Sequence, residues 1–195
     1  GKLKLIGLRR FSHEPYSQEV VTRFADGAPP TGDRFRQTGK LGETIARGEY
    51  QWKMFGGDWQ LSGEAAFNKL DNVASIGVLV PGSGFVDQPF PGGTGGVSED
   101  RYEGLLSFGR PLTDKLSFQI VAGAEHSTIA QAGPTGVERR FFRPKGSLTL
   151  SWAASADFDA SLKIRRRVLQ LSFYDFLGRA FLNDGNQNEN NFDLR

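Results

Sequence analysis

The sequence predicts an all-β protein, an antiparallel meander of long strands forming part of a transmembrane β-barrel. Three observations predict it. Apolar and polar residues alternate with period two over long segments, and no segment sustains a 3.6-residue period, so helix content is expected to be very low. Short turns alternate with long Gly/Pro-rich connections, giving a meander with two unlike ends. The alternating runs reach ~10–14 residues, where soluble strands average ~5–6 and a tilted membrane strand needs ~9–11.

The chain opens in strand-like alternation at Gly1-Lys2-Leu3-Lys4-Leu5. Residues 11–42 carry a weaker pattern, read as a strand near 17–25 and a loop around Asp26-Gly27-Ala28-Pro29-Pro30. The next strand sets Thr44, Ala46, Gly48, Tyr50 and Trp52 against Glu43, Arg47, Glu49, Gln51 and Lys53. A tight turn follows at Phe55-Gly56-Gly57-Asp58, where Gly-Gly is a hairpin signal. Beyond it, Trp59, Leu61, Gly63, Ala65 and Phe67 alternate with Gln60, Ser62, Glu64, Ala66 and Asn68. A long connection is expected over 71–98, with seven glycines and three prolines from Gly77 to Gly96. Tyr102, Gly104, Leu106 and Phe108 then oppose Arg101, Glu103 and Ser107, and Pro111-Leu112-Thr113-Asp114 suits a type I turn. Leu116, Phe118, Ile120, Ala122 and Ala124 alternate with Ser117, Gln119, Val121, Gly123 and Glu125. A second long connection, 129–143, contains Gly133-Pro134-Thr135-Gly136. Leu148, Leu150 and Trp152 oppose Ser147, Thr149 and Ser151, and a turn is expected at 153–156. Phe158, Ala160, Leu162 and Ile164 oppose Asp159, Ser161, Lys163, Arg165 and Arg167, and an Asn- and Asp-rich tail follows from Gly178. The whole of 1–195 therefore reads as one partial barrel domain of six to eight strands, with outer loops near 71–98, 129–143 and 178–195. The mid-strand start and the Asn-rich end read as a piece of a longer protein.

Composition narrows the function classes. With 24 basic and 22 acidic side chains the formal charge is +2, too balanced for a general nucleic-acid binder, and no nucleic-acid partner is expected. There is no cysteine, which removes disulfide scaffolds, zinc ribbons and thiol enzymes. Two histidines, His13 and His126, have no Cys or His at ligand spacing, so no metal and no cofactor is expected. Mean hydropathy is −0.40 and no apolar run approaches the ~18–20 residues of a membrane helix.

Alternation alone fits a soluble core as well as lipid. Aromatics settle near the short turns (Tyr50, Trp52, Trp59, Trp152, Phe158), as an interfacial belt requires, and the polar faces carry paired charges that suit a wet lumen. The expected partner is thus the lipid bilayer of a bacterial outer membrane, with short turns periplasmic and long loops outside. Two rivals stand beside it: a small closed barrel acting as adhesin or anchor, and a secreted soluble β-sandwich binding carbohydrate.

Candidate ligand-binding residues lie in the loops and on the densest basic run. Phe85 and Phe90 fall in 71–98, and Arg139, Arg140, Phe141 and Phe142 end 129–143; exposed aromatics with Arg make recognition surfaces. Arg165 and Arg167 form an electropositive lumen strip, or pair with carboxylates such as Asp159 or Glu125. Arg166 falls in the apolar phase, so either a bulge re-aims the strand or Arg166 lies at the outer interface. Glu43, Arg47, Glu49 and Lys53, with Arg101 and Glu103, read as a ladder of cross-strand pairs; no catalytic residue is singled out, and the chain is expected not to be an enzyme.

Several stretches resemble the barrel strands of TonB-dependent outer-membrane receptors. They are Gly48-Glu49-Tyr50-Gln51-Trp52, Asp58-Trp59-Gln60-Leu61-Ser62-Gly63-Glu64, Glu99-Asp100-Arg101-Tyr102-Glu103, Arg139-Arg140-Phe141-Phe142-Arg143-Pro144-Lys145-Gly146 and Leu169-Gln170-Leu171-Ser172-Phe173-Tyr174. The resemblance spans roughly 41–177. It implies a barrel of about 22 strands that imports a scarce nutrient such as a siderophore, vitamin or glycan. It also implies two protein partners beyond the nutrient ligand, a plug domain and a TonB-type energy-coupling protein.

Overall fold

A computed structural model describes residues 1–90, 93–132, 136–166 and 168, together with the backbone of 179–181 and 186–188. The described residues are all-β and contain no helix. Eight strands form one sheet: β1 (Lys2–Thr22), β2 (Thr31–Met54), β3 (Gly57–Val80), β4 (Gly84–Gln88), β5 (Gly95–Pro111), β6 (Leu116–Gln131), β7 (Glu138–Ser155) and β8 (Phe158–Arg166). The sheet is an antiparallel meander in the order β1-β2-β3-β5-β6-β7-β8, with β4 paired to β3 off that path, and it curls into a half-barrel. β9 (Arg179–Phe181) and β10 (Asn186–Asn188) make a separate two-stranded ladder in the expected tail loop.

The expected short turns sit at one end. Phe55 and Gly56 alone join β2 to β3, both at positive φ (54° and 69°), the mirror-image turn that matches strand twist. Gly57 is already the first residue of β3, so the second glycine of the pair belongs to the strand. At the β5–β6 turn the Thr113 hydroxyl oxygen accepts from the backbone N–H of Leu116 at 3.0 Å. The β7–β8 turn follows a register shift between Ala153 and Ser155, a local irregularity of the ladder.

Two expectations need correction at the other end. The 71–98 segment is not one long loop: β3 runs on to Val80, Pro81-Gly82-Ser83 turns the chain, and β4 folds back along β3 from Gly84 to Gln88. Apart from Gly77, its prolines and glycines cluster at 81–84 and 89–96, leaving Val73–Val80, rich in Val and Ile, as strand. Similarly, 11–42 is mostly strand. β1 reaches back to Lys2 and carries Pro15 opposite Thr38 of β2. The 129–143 connection is shorter too, since β6 extends to Gln131 and β7 starts at Glu138.

Candidate functional site on the concave face

The register assigns every strand residue to one of two faces, and burial identifies the concave one. On β3 the even residues are the covered set: Ser62, Ala66, Asn68, Leu70, Asn72 and Ala74 are buried, whereas Leu61, Phe67 and Val73 on the odd side are 52%, 43% and 61% exposed. The interior is not an oil core. Alongside Phe35, Ala66, Leu70, Val97 and Ile129, it buries Asn68, Asn72, Glu99, Glu125 and Ser127.

Charges on this face form one self-compensating network across five strands. Glu64, Glu103 and Glu125 lie directly opposite one another on β3, β5 and β6, which would be repulsive if left alone. Bases interleave them. Arg101 donates to Glu64 at 3.0 Å, and Arg47 on β2 lies 3.6 Å from the same carboxylate. Arg47 is also 2.8 Å from Glu49, an ion pair whose Nε–H is not aimed as a hydrogen bond. Arg143 donates to Glu125 at 3.1 Å, while Lys145 bridges Glu125 and Glu103. Lys145 reaches Glu103 by crossing over Gly123, its direct partner on β6. A β-carbon at Gly123 would lie 2.0 Å from the backbone oxygen of Gly104, so the strands pass too close there for any larger residue. One buried hydroxyl, Ser127 Oγ, has no hydrogen-bond partner among the described residues.

Toward the short-turn end the concave face is lined by neutral hydrogen-bonding groups. Gln51 donates to Gln60 at 3.0 Å and Gln119 to Ser107 at 3.4 Å, around an open basin of about 910 Å³ that Lys2, Lys53 and Asp58 also border. Toward the other end the face turns apolar. Phe35 meets Phe90 edge-on at 6.1 Å and packs with Ala74 and Ile76, and Asn72 donates to the carbonyl of Gly93 at 2.9 Å.

The convex face changes in the opposite sense. From Trp59 to Phe67 it is uncharged on β3, and it matches Tyr102–Phe108 on β5, Phe118–Ala124 on β6 and Leu148–Trp152 on β7. Beyond this belt, Lys69 and Asp71 on β3 and Lys40 and Arg36 on β2 take over. Polarity therefore inverts between the two faces at one level of the sheet. Rings at the short-turn edge form a continuous series, Tyr50–Trp52–Trp59–Phe108–Phe118, with centroids 4.4–6.0 Å apart.

The eight candidate residues do not converge on one site. Phe90 is in the concave aromatic cluster, and Phe85 lies beneath the Arg34 guanidinium (5.0 Å), which also pairs with Asp87 at 3.1 Å. Phe141 faces the concave side under Arg143 at 4.5 Å, and Arg139 shares that face on the same strand. Arg140 and Phe142 point to the convex face, where Arg140 pairs with Glu138 at 2.8 Å and Phe142 is 72% exposed. Arg165 is on the concave side of β8, next to Ser147, and Arg167 lies outside the described residues. Glu125 is taken by Arg143 and Lys145 and not by the β8 bases. The β8 register runs unbroken from Asp159 to Arg166, and the phase change expected beyond Arg166 lies outside the described residues. Sequence reading placed Arg47, Glu49, Arg101 and Glu103 in a ladder but missed Glu64, Arg143 and Lys145 as its other members; only strand register reveals them. Among the described residues no cluster of His, Asp or Glu is arranged to hold a metal ion. The chain matches no protein-family model and no curated protein.

Proposed function

We propose that this sheet is a wall section of a bacterial outer-membrane β-barrel that imports a scarce polar nutrient such as a siderophore, vitamin or glycan. A plug domain and a TonB-type energy-coupling protein complete the receptor. The observation that carries the reading is the inversion of face polarity. Within the belt the convex side is apolar and the concave side polar, the pattern of a lipid-embedded wall around water. Above the belt the pattern is that of a water-soluble sheet.

The aromatic edge supports the same reading quantitatively. The ladder row through Trp59 continues as Phe108, Ile120 and Leu148, yet the ring at the turn edge of β7 is Trp152, four residues further on. A drift of ~14 Å along the strand over three strand spacings of ~4.8 Å corresponds to a tilt near ~45°. Membrane barrel strands tilt ~35–45° from the axis, so Trp59 and Trp152 would lie level in a bilayer interface.

Barrel width favours transport over a small anchor. Seven path strands make only half a turn, and the outer sides of β1 and β8 are unpaired among the described residues. Closure at this curvature takes about twice as many strands, a size that encloses a wide lumen. The concave charges neutralise one another, which suits a water-lined wall better than a packed core. Nothing among the described residues covers the convex belt as the second layer of a sandwich would.

The experiment is uptake by cells with and without the gene, starved in turn for chelated iron, cobalamin and oligosaccharides. The expected result is one uptake defect, restored by the gene and abolished again when inner-membrane energy coupling is disabled. Recovery of the protein in the soluble fraction, or uptake intact for every nutrient, would overturn the proposal.

A further inference from the structure

On the interior strands the concave bases are met by carboxylates. Arg47, Lys53, Arg101 and Arg143 each lie 2.8–3.2 Å from one, and Lys145 holds two. The edge strand β8 departs from this pattern. Its concave side presents Asp159, Ser161, Lys163 and Arg165, and the register sets Lys163 and Arg165 opposite Thr149 and Ser147 of β7, two uncharged hydroxyls. Neither base has an ion-pair partner among the described residues. Asp159, the one carboxylate of β8, stands four residues from Lys163, about 13 Å along the strand. Glu125, two strands inward, is already held by Arg143 and Lys145.

The same edge leaves its outer backbone donors and acceptors unpaired among the described residues, and β1 cannot take them up. Seven strands alternate in direction along the path, so β1 and β8 run parallel to each other. A fully antiparallel closed barrel has an even strand count, so closure adds an odd number of strands and does not join β8 to β1. Charge agrees with direction: β1 carries Lys2, Lys4 and Arg10 on its concave side and no carboxylate before Glu14. Along the path each strand pairs with the next one in the chain, β4 alone standing aside.

We propose that the outer edge of β8 takes the next path strand of the same polypeptide, antiparallel, and that this strand turns a carboxylate to the concave side to meet Lys163 and Arg165. The inference rests on the barrel reading above and adds to it the chemistry of the neighbour and the parity of the strands that close the wall. The basic strip of β8 is then one side of a seam and not a nutrient site.

The test uses the full-length protein in fractions of the cells that express it. A water-soluble carbodiimide joins a lysine amine to a touching carboxylate as an amide, itself taking up the water, and peptide mapping identifies the pair. Lys53–Asp58, at 3.2 Å, is the internal standard. Lys163 should be joined, as efficiently as Lys53, to an Asp or Glu of the same polypeptide outside β1–β8. K163R should lose that product while recovery in the membrane fraction stays unchanged. Cysteines in S161C and R165C should then be bridged by a short bis-thiol reagent to cysteines placed two residues after and two before the partner, respectively, the order of an antiparallel pair. A Lys163 left unjoined while Lys53 reacts overturns the seam. So does joining to a β1 residue, which would close the sheet on itself, or to Asp159 of a second copy, which would pair two inverted sheets. A partner whose flanking cysteines are not bridged belongs to a domain in the lumen and overturns it as well. If the protein is recovered in the soluble fraction and the product forms there, the membrane reading fails and the seam stands.

Discussion

Replacing Lys145 by Met should destabilise the sheet, and the structure says which partner suffers. Lys145 holds Glu103 and Glu125, which oppose each other directly across β5 and β6. Glu125 retains Arg143 at 3.1 Å after the substitution, whereas Glu103 has no other ion pair among the described residues. Removing one partner of a fully buried pair costs ~3–5 kcal/mol. The Lys145 and Glu103 side chains are 23% and 18% exposed, so water screens part of that and about 2–3 kcal/mol is the working figure. With a urea dependence of ~1–3 kcal/mol per molar, the unfolding midpoint should fall by roughly 1–2 M. The assay is urea titration of the refolded protein, followed by loss of its heat-modifiable gel mobility. Because the orphaned group is Glu103, adding Glu103→Gln to Lys145→Met should recover most of the loss. Adding Glu125→Gln should recover less, since Arg143 then loses its partner. Equal rescue by the two, or no loss in Lys145→Met, would refute the network as drawn.

Three further outcomes are expected. Ile120→Arg should block assembly in a membrane-fractionation assay, at ~2–4 kcal/mol for a mid-belt Arg, while Gln119→Arg on the opposite face should assemble nearly normally; equal tolerance would dissolve the facing. A cysteine at Ser155 should be shielded from impermeant maleimide on intact cells and one at Ser83 reachable, and the reverse labelling would turn the sheet upside down. Gly123→Ala should cost about 1–3 kcal/mol by chemical denaturation, because the added carbon meets the Gly104 backbone and no flexible side chain can yield; an unchanged midpoint would mean the strands separate freely there.

The belt portions of β2, β3, β5, β6, β7 and β8 were legible because period two is strongest where one face is apolar and the other polar. Trp59–Phe67 and Leu116–Ala124 show this directly, and both facings agree with the register. The upper strands were illegible for the complementary reason. Past Lys69 the apolar set moves from odd to even positions (Leu70, Ala74, Ile76), and a pattern that changes phase in mid-strand looks like the end of a strand. The ion-pair network was half legible. Alternating charge signs on one strand can be read locally, but Lys145 and Glu103 are 42 residues apart and meet only because β6 places Gly123 between them. Phe85 and Phe90 were read as loop aromatics offered to a ligand, and no local signal told that each would be engaged by residues of β2.

The phase change also constrains the solvent that can stabilise the sheet. Surrounded only by water, the fold would expose Leu61, Phe67, Tyr102, Leu106, Ile120, Leu148, Trp152 and Leu162 as one continuous convex band, each 37–57% accessible. Monomeric soluble proteins rarely expose contiguous apolar patches beyond a few hundred Å². Surrounded only by hydrocarbon, Lys40, Lys69, Asp71 and Arg140 would each lose their hydration, at several kcal/mol apiece. No repacking within the sheet relieves either cost, because a one-residue register slip exchanges the faces everywhere and corrects one half while spoiling the other. A medium that is apolar across the belt and aqueous above it satisfies both halves with the register as observed. In the proposed bilayer such a boundary is two-dimensional, so the position of Lys69 relative to Phe67 would also fix how deep the sheet sits. On that proposal, moving the first base inward, as in Phe67→Lys, should lower recovery of the protein in the membrane fraction, because the aromatic edge from Tyr50 to Phe118 would fix the other side; unchanged recovery would count against it.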